Sequence, residues 1–432
     1  MIEIKVYTRA TKALDGMVRQ VTWITKLQIG SIVRSWLFGA LIVSVASLVA
    51  APDALAQSTF LPYASTQFEH NNNIFYLPSS QATYAAGGID QFGDSSLKTI
   101  GGAEEDYYWG RQRFYATAEG RYIDYDHYTY LNHSEYLLRL GLDWKLLTAF
   151  DGTFLGSLER YMAPFANRNT FTALSVDLDR STSAKFNTRL SPEWLLVTSV
   201  YYHDLDAPIE DYPNYGLTET TARAVLQYLG VANLTFGIAA EYLDGRYRNA
   251  PIEGTYNQTS VGLTMAYAVT KLSSFKGVVG YTERQQGQNQ GTVSAVTGEI
   301  GYTRALTGKT SFTLDYLRAV NSYVAAGGSE LDSTLSLRAS HQLTYKIGIA
   351  AGIQEMRSDF QGQTIPGSNT VGRRDRTPQA DLRITYDVRR WLMIQPYVTY
   401  QRRTSNVELD GFSSNIVGIK IQAKMQPPPP TR

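Results

Sequence analysis

The chain of 432 residues contains no cysteine, so neither a disulfide framework nor a thiolate metal site is open to it. Histidine is nearly as scarce: His70, His127, His133, His203 and His341 are the only five. No GxSxG, HExxH, Walker or dinucleotide-binding pattern occurs, so the sequence predicts no metal, no cofactor and no enzymatic activity. A formal net charge of +1 argues against a nucleic-acid partner. Extended helical periodicity is also missing, and a mean hydropathy of −0.24 excludes a bundle of membrane helices. What is abundant is tyrosine, with 30 residues beside 16 phenylalanines and 6 tryptophans. A ring with a polar tip suits the boundary between water and lipid on a barrel wall.

The N-terminal stretch carries Lys5, Arg9, Lys12, Arg19, Lys26 and Arg34, then an apolar run over residues 36–51, then Ala54-Leu55-Ala56. A basic region, an apolar core and a small-x-small triplet, in that order, predict a secretory signal cleaved after Ala56, leaving Gln57 as the first mature residue. The alternative is an uncleaved anchor. The apolar run, about 16 residues, is short of the ~20 that span a bilayer comfortably. The basic stretch is longer than usual, which a later start at Met17 explains. The expected organisation is a signal peptide over 1–56, a barrel over 57–426 and a stiff proline-rich tail over 427–432.

After the signal the period is 2. Val417, Ile419, Ile421, Ala423 and Met425 alternate with Gly418, Lys420, Gln422 and Lys424; Leu138, Leu140, Leu142 and Trp144 alternate with Arg139, Gly141, Asp143 and Lys145. The connections fall into two classes. Short ones such as Trp109-Gly110-Arg111, Leu190-Ser191-Pro192-Glu193-Trp194 and Leu306-Thr307-Gly308-Lys309 recur roughly every 36 to 44 residues. Between them lie longer segments rich in Gly, Asn, Asp, Ser and Pro, at 71–95, 204–216, 286–291, 325–330 and 360–375. Short turns on one rim and long loops on the other predict an all-β, antiparallel, up-and-down transmembrane β-barrel of about 18 strands, within a range of 16–20, in a Gram-negative outer membrane. The stretch 170–190 reads as one long strand or two short ones.

Such a barrel is wide enough for an aqueous lumen. The polar face of each strand places Arg113, Arg121, Arg139, Lys145, Lys185, Arg189, Arg223, Arg304, Arg338, Arg383, Lys420 and Lys424 inside, together with Glu119, Asp143, Glu241, Glu299 and Asp381. A basic excess there would favour anions or an acidic polymer. The alternative is that these charges pair across strands and only keep the lumen wet. Tyr107, Tyr122, Tyr125 and Tyr281 are candidates for stacking on sugars or, equally, for the interfacial girdle.

The segments Leu61-Pro62-Tyr63, Asn73-Ile74-Phe75-Tyr76-Leu77-Pro78, Asn167-Arg168-Asn169-Thr170 and Leu190-Ser191-Pro192-Glu193-Trp194 resemble a family of outer-membrane β-barrel porins often encoded with exopolysaccharide biosynthesis genes. The resemblance implies passage of a secreted polysaccharide across the outer membrane, with that lipid, the polymer and periplasmic export components as partners. Two other functions stay open. One is a general porin for small solutes or anions. The other is a barrel enzyme acting on surface glycan or lipid, for which His127 and His133 beside Asp124, Asp126 and Glu135, or His203-Asp204 near Ser199, are the candidate centres.

Overall fold

Alternating sequences of this kind can satisfy their backbone in lipid only by closing into a barrel, and a computed structural model shows that closure. It describes residues 57–78, 89, 91–167, 172–208, 215–248, 254–287, 291–323, 328–361, 372–407 and 410–425. The expected signal segment and the proline tail lie outside the described residues.

Eighteen antiparallel strands follow one another: β1 Gln57–Asn71, β2 Asp94–Trp109, β3 Gln112–Tyr125, β4 His133–Leu147, β5 Phe150–Met162, β6 Val176–Arg189, β7 Trp194–Ala207, β8 Tyr215–Val231 and β9 Leu234–Arg248. The second half comprises β10 Gly254–Thr270, β11 Ser273–Gln286, β12 Thr292–Thr307, β13 Thr310–Tyr323, β14 Gly328–Gln342, β15 Ile347–Gln361, β16 Arg374–Arg389, β17 Leu392–Ser405 and β18 Phe412–Lys424. Each strand pairs with its neighbours in sequence, and β1 pairs with both β2 and β18, so the sheet has no first or last strand. The stretch 170–190 contributes the single strand β6. The loop expected at 325–330 is shorter than its sequence suggests, because β14 begins at Gly328.

Residues opposite one another in the ladder share a face, so one known side chain orients every strand. Tyr63 of β1 donates to Glu119 of β3 at 2.6 Å, and Tyr397 of β17 donates to Glu69 of β1 at 2.5 Å. Side chains that reach over an intervening strand converge on the concave side, so these point into the lumen. The other face carries exposed aliphatic side chains, among them Leu140, Ile238, Leu263, Ile353 and Val417. Aromatic rows border this band: Phe114, Trp194 and Tyr267 toward the short turns, Tyr122, Tyr202, Tyr242 and Tyr400 toward the long loops. Phe114 and Tyr122 are eight positions apart on β3, about 20 Å of height for a strand tilted by ~40°. This wall makes the protein an outer-membrane barrel, with the short turns on the periplasmic side and the long loops outside.

Candidate functional site: the lumen and its extracellular mouth

The ladder places most of the predicted lumenal cations inside. Arg113 lies 2.7 Å from Asp106 and 3.5 Å from Asp143. Arg121 pairs with Glu119, reaches Glu159 at 3.2 Å and Glu135 at 3.5 Å, and Lys98 adds to Glu135 at 3.6 Å. Arg223 meets Glu241 at 3.9 Å, and Lys424 meets Glu104 at 2.8 Å. Arg139, Lys145, Lys185, Arg338, Arg383 and Lys420 share this inner face, as does Arg189, whose guanidinium donates to the Pro192 carbonyl at 3.4 Å. None of these seven forms an ion pair with a described residue.

Arg304 is the exception. It stands opposite Ser273 and Phe312, on the face of Tyr302 and Phe275, at the outer periplasmic rim. Glu299, with Lys276 2.9 Å away, faces inward, and five positions separate it from Arg304. A strand of period 2 cannot hold both on one face. At the rim Arg304 can extend its head group toward water from an otherwise apolar surface.

The expected basic excess is also absent. Glu69, Glu104, Asp106, Glu135, Asp151, Glu159, Asp179, Glu219 and Asp315 point inward beside the acids already named. The alternation along single strands exposed the bases but undercounted these carboxylates. The opposite wall, β10 to β14, adds hydroxyls to its charged Lys276–Glu299 pair, Asp315 and Arg338: Ser260 and Thr282 are 2.8 Å apart, Thr282 and Thr297 2.7 Å, Ser311 and Ser340 2.8 Å.

The tyrosines sort in the same way. Tyr107, Tyr122 and Tyr281 face outward and belong to the girdle. Tyr125 faces inward but packs against a buried cluster at the mouth. Among the inner tyrosines missed in the sequence, Tyr63, Tyr115, Tyr256 and Tyr397 each lie over a cross-strand glycine. A β-carbon on Gly141 would come within 2.1 Å of the Tyr115 ring, and one on Gly418 within 2.4 Å of Tyr397. Glycine opposite tyrosine lets the ring lie flat on the wall, a pairing readable in sequence only once the register is known.

The extracellular mouth is different. The β12–β13 ladder ends at Gly298 and Arg318, so the last turns of β13 leave β12 while β14 stays paired with β13 and β15. The freed tip leans across the lumen. Ser322 donates to Glu219 of β8 at 2.6 Å and lies 3.2 Å from the Tyr256 hydroxyl of β10. Arg284 of β11, 1% exposed, donates to Ser322 at 2.9 Å and to Tyr247 of β9 at 3.0 Å, with its guanidinium 3.9 Å from the centre of the Tyr256 ring. Tyr247 donates to the Gly328 carbonyl, and Gln286 donates to Ser329 at 2.5 Å. Along the wall β8 and β13 are five places apart, roughly 24 Å at ~4.8 Å per place, so these contacts require the hairpin tip to fold inward.

Its other face meets the far side. Tyr323 packs edge-on against Phe360 at 4.9 Å, and Arg373 sits 4.4 Å over the same ring. Arg373, 1% exposed, pairs with Asp375 at 2.5 Å and with Asp410 at 3.1 Å, while Arg403 donates to the Asp410 carbonyl at 2.5 Å and lies 4.7 Å over Phe412. Burial pushes the Asp410 carboxyl above its ordinary value. Phe412 touches Tyr76, next to the cluster of Ile74, Phe75, Leu77, Ile89, Tyr128, Leu131 and Phe165. A train of packed rings and buried ion pairs thus crosses the mouth.

The histidines hold structure here. His133 donates through Nδ1 to the Leu131 carbonyl at 2.6 Å and faces Glu135 at 3.2 Å; His203 lies 3.2 Å from Asp179 and 3.7 Å from Glu219. His127 rests its backbone N–H on Asp94 at 3.0 Å. His203 faces inward and Asp204 outward, with Arg180, so the two cannot act together. No group of three potential metal ligands occurs among the described residues.

The family model described as Putative beta-barrel porin 2 matches residues 258–425. The match lies beyond every segment on which the sequence resemblance rested. No curated protein matches. Solved structures that superpose on the chain include OccK5 (OpdH) of Pseudomonas aeruginosa, at 10% identity over 85% of this chain and 98% of that one with a TM-score of 0.43. OccK1 (OpdK) of the same organism gives 11% identity, 85% and 99% coverage and 0.45. Its siderophore receptor PirA gives 9%, 85%, 80% and 0.43. Likeness at this level assigns neither solute nor partner to this chain. The closed wall and the family match together describe a porin-like β-barrel of the Gram-negative outer membrane.

Proposed function

We propose that this barrel conducts a secreted exopolysaccharide to the cell surface. The observation that carries the reading is the inner surface. Paired charges on β1 to β5 face a hydroxyl-rich wall on β10 to β14, which also holds the Lys276–Glu299 pair, and tyrosines lie flat between strands. Such a surface offers a hydrophilic chain many weak hydrogen bonds and no deep site that would hold it, the condition for conduction. The polymer need not be acidic, because the lumen has no basic excess to select for it. Periplasmic components of an export system are the expected partners.

A general porin for small solutes or anions is the second reading, favoured by the hairpin that narrows the mouth. Seven inner cations without carboxylate partners, all toward the periplasmic half, would attract small anions in that case. The barrel-enzyme reading has less support, since His133 and His203 are bonded to carbonyl and carboxylate oxygens rather than to a nucleophile.

Single-channel conductance of the refolded protein, with neutral and acidic polysaccharides added from the periplasmic side, separates these readings. Block by polymer, at concentrations where equivalent monosaccharide has no effect, is the expected result. Conductance indifferent to every polymer would replace export with the general porin.

A further inference from the structure

Two clusters of arginine stand on the outer wall just beyond the extracellular aromatic row, and they differ in their balance. In the first, Arg180 and Arg248 each meet Asp204 and Asp206 at 2.7–2.8 Å, and Arg160, Arg246 and Asp244 share the same outer face, so four cations stand with three carboxylates. In the second, on β15 to β17, Arg357, Arg374, Arg376 and Arg402 share the outer face with only Glu355 and Asp359. Glu355 serves both Arg357 at 2.7 Å and Arg376 at 2.6 Å, Asp359 lies 3.4 Å from Arg374, and Arg402 has no ion pair among the described residues.

The register sets the height of this cluster. Ile353, Ala380 and Tyr400 form one outward row, and Leu382 and Val398 lie in the row beneath. Glu355 and Pro378 follow directly above, then Arg357, Arg376 and Thr404, then Asp359 and Arg374. The arginines therefore begin where the apolar band ends, at the level of the lipid headgroups. Arg374 is 80% exposed and Arg357 67%. Exposed ion pairs of this kind are weak and screened by solvent, so a stronger anion can displace them. A guanidinium binds phosphate in a bidentate fork, and several at neighbouring positions can share one anionic headgroup.

We infer that the outer face of β15 to β17, centred on Arg376 and Arg402, binds the phosphate of a glycolipid in the outer leaflet. The excess of two positive charges over carboxylates and the height match such a headgroup, whereas Arg180 and Arg248 are each engaged by two carboxylates and have less free charge to offer one. Binding there would anchor the barrel beside the strands that carry the mouth's buried ion pairs.

The test compares barrels extracted in mild detergent and loaded with bisphosphorylated lipid A or its enzymatically dephosphorylated form, with bound lipid counted by native mass spectrometry. The expected result is a preference of about tenfold or more for the phosphorylated form, the order expected of charge-assisted bonds. R376Q/R402Q should abolish this preference, and R180Q/R248Q should leave it intact. R376K/R402K, which keeps the charge, should retain part of it and guards against loss through misfolding, read from heat-modifiable gel mobility. Equal retention of both lipids by the unaltered protein would overturn the inference, as would equal loss in both glutamine pairs. Displacement of the lipid by millimolar inorganic phosphate would also overturn it, showing a free-phosphate site instead.

Discussion

The extracellular mouth and the periplasmic half of the lumen are made by the same eighteen strands, yet the mouth pairs its buried cations throughout while the periplasmic half, beside pairs such as Arg113–Asp106 and Lys424–Glu104, also leaves cations unpaired. At the mouth, Arg284 and Arg373 are both 1% exposed and each is held by several partners across strands or loops. In the lower lumen Arg139 stands opposite Thr117 and Ser157, Arg383 opposite Tyr397 and Lys420 opposite Gln67 and Gln395, and the three carry no ion pair among the described residues. Buried charges are costly unless fully partnered, so those at the mouth fix one arrangement of hairpin and loops. Charges bathed in lumenal water need no partner, so the lower set is free to act on whatever passes. The difference separates a structural closure from a conducting surface.

The hairpin offers the most direct way to break this contrast. Replacing residues 320–331 by a short glycine-serine turn should raise single-channel conductance severalfold, since the tip spans the lumen between β8 and the β15–β18 side. Unchanged conductance would mean that the permeation path does not run past the hairpin.

Removing the ions that hold the mouth should act next most strongly. Arg373→Ala removes the ion-pair partner of Asp410 and leaves Asp375 with only Arg403, 3.7 Å away, at a cost of about 3–5 kcal/mol. Arg284→Ala leaves Tyr247 and Ser322 short of a donor, at about 1–3 kcal/mol. Both should appear as faster proteolysis of the extracellular loops and noisier conductance, with Arg373→Ala the more severe. The reverse order would show that the β8–β11 side, rather than the loops around Asp410, secures the closure.

The smallest effect on stability is expected in the lower lumen. Changing Arg139, Arg383 and Lys420 together to Gln should alter stability by no more than about 0.5 kcal/mol per site. The reversal potential in a salt gradient should nevertheless shift toward cation preference. Arg304→Gln, on the outer rim, should leave that potential unchanged. A shift equal to that of the triple variant would place Arg304 in the ion path and contradict the register.

Much of this architecture was legible in the residues. The short turns expected at Trp109-Gly110-Arg111, Leu190-Ser191-Pro192-Glu193-Trp194 and Leu306-Thr307-Gly308-Lys309 each join two consecutive strands. A barrel wall faces lipid on one side and water on the other along its whole length. Each strand thus advertises its period without help from its neighbours. Arg304 shows the limit. It read as lumenal because it lies in a polar stretch, yet its parity with Glu299 already forbade that. The inward carboxylates and the Tyr115–Gly141 and Tyr397–Gly418 pairs were hidden for a related reason, since they are defined by which strand lies opposite.

The sequence by itself determined a closed antiparallel barrel of 16–20 strands with an apolar outer wall, because period 2, short turns and lipid exposure are local properties; the count of eighteen came from the structure. Only the tertiary structure decided that β13 leaves β12 at Gly298 and Arg318, that Arg284 and Arg373 are buried, and that the arginines of β15 to β17 gather in one outward cluster. Those features join residues from strands that are neighbours around the barrel or across its lumen but distant in the chain, and no local periodicity encodes such a meeting.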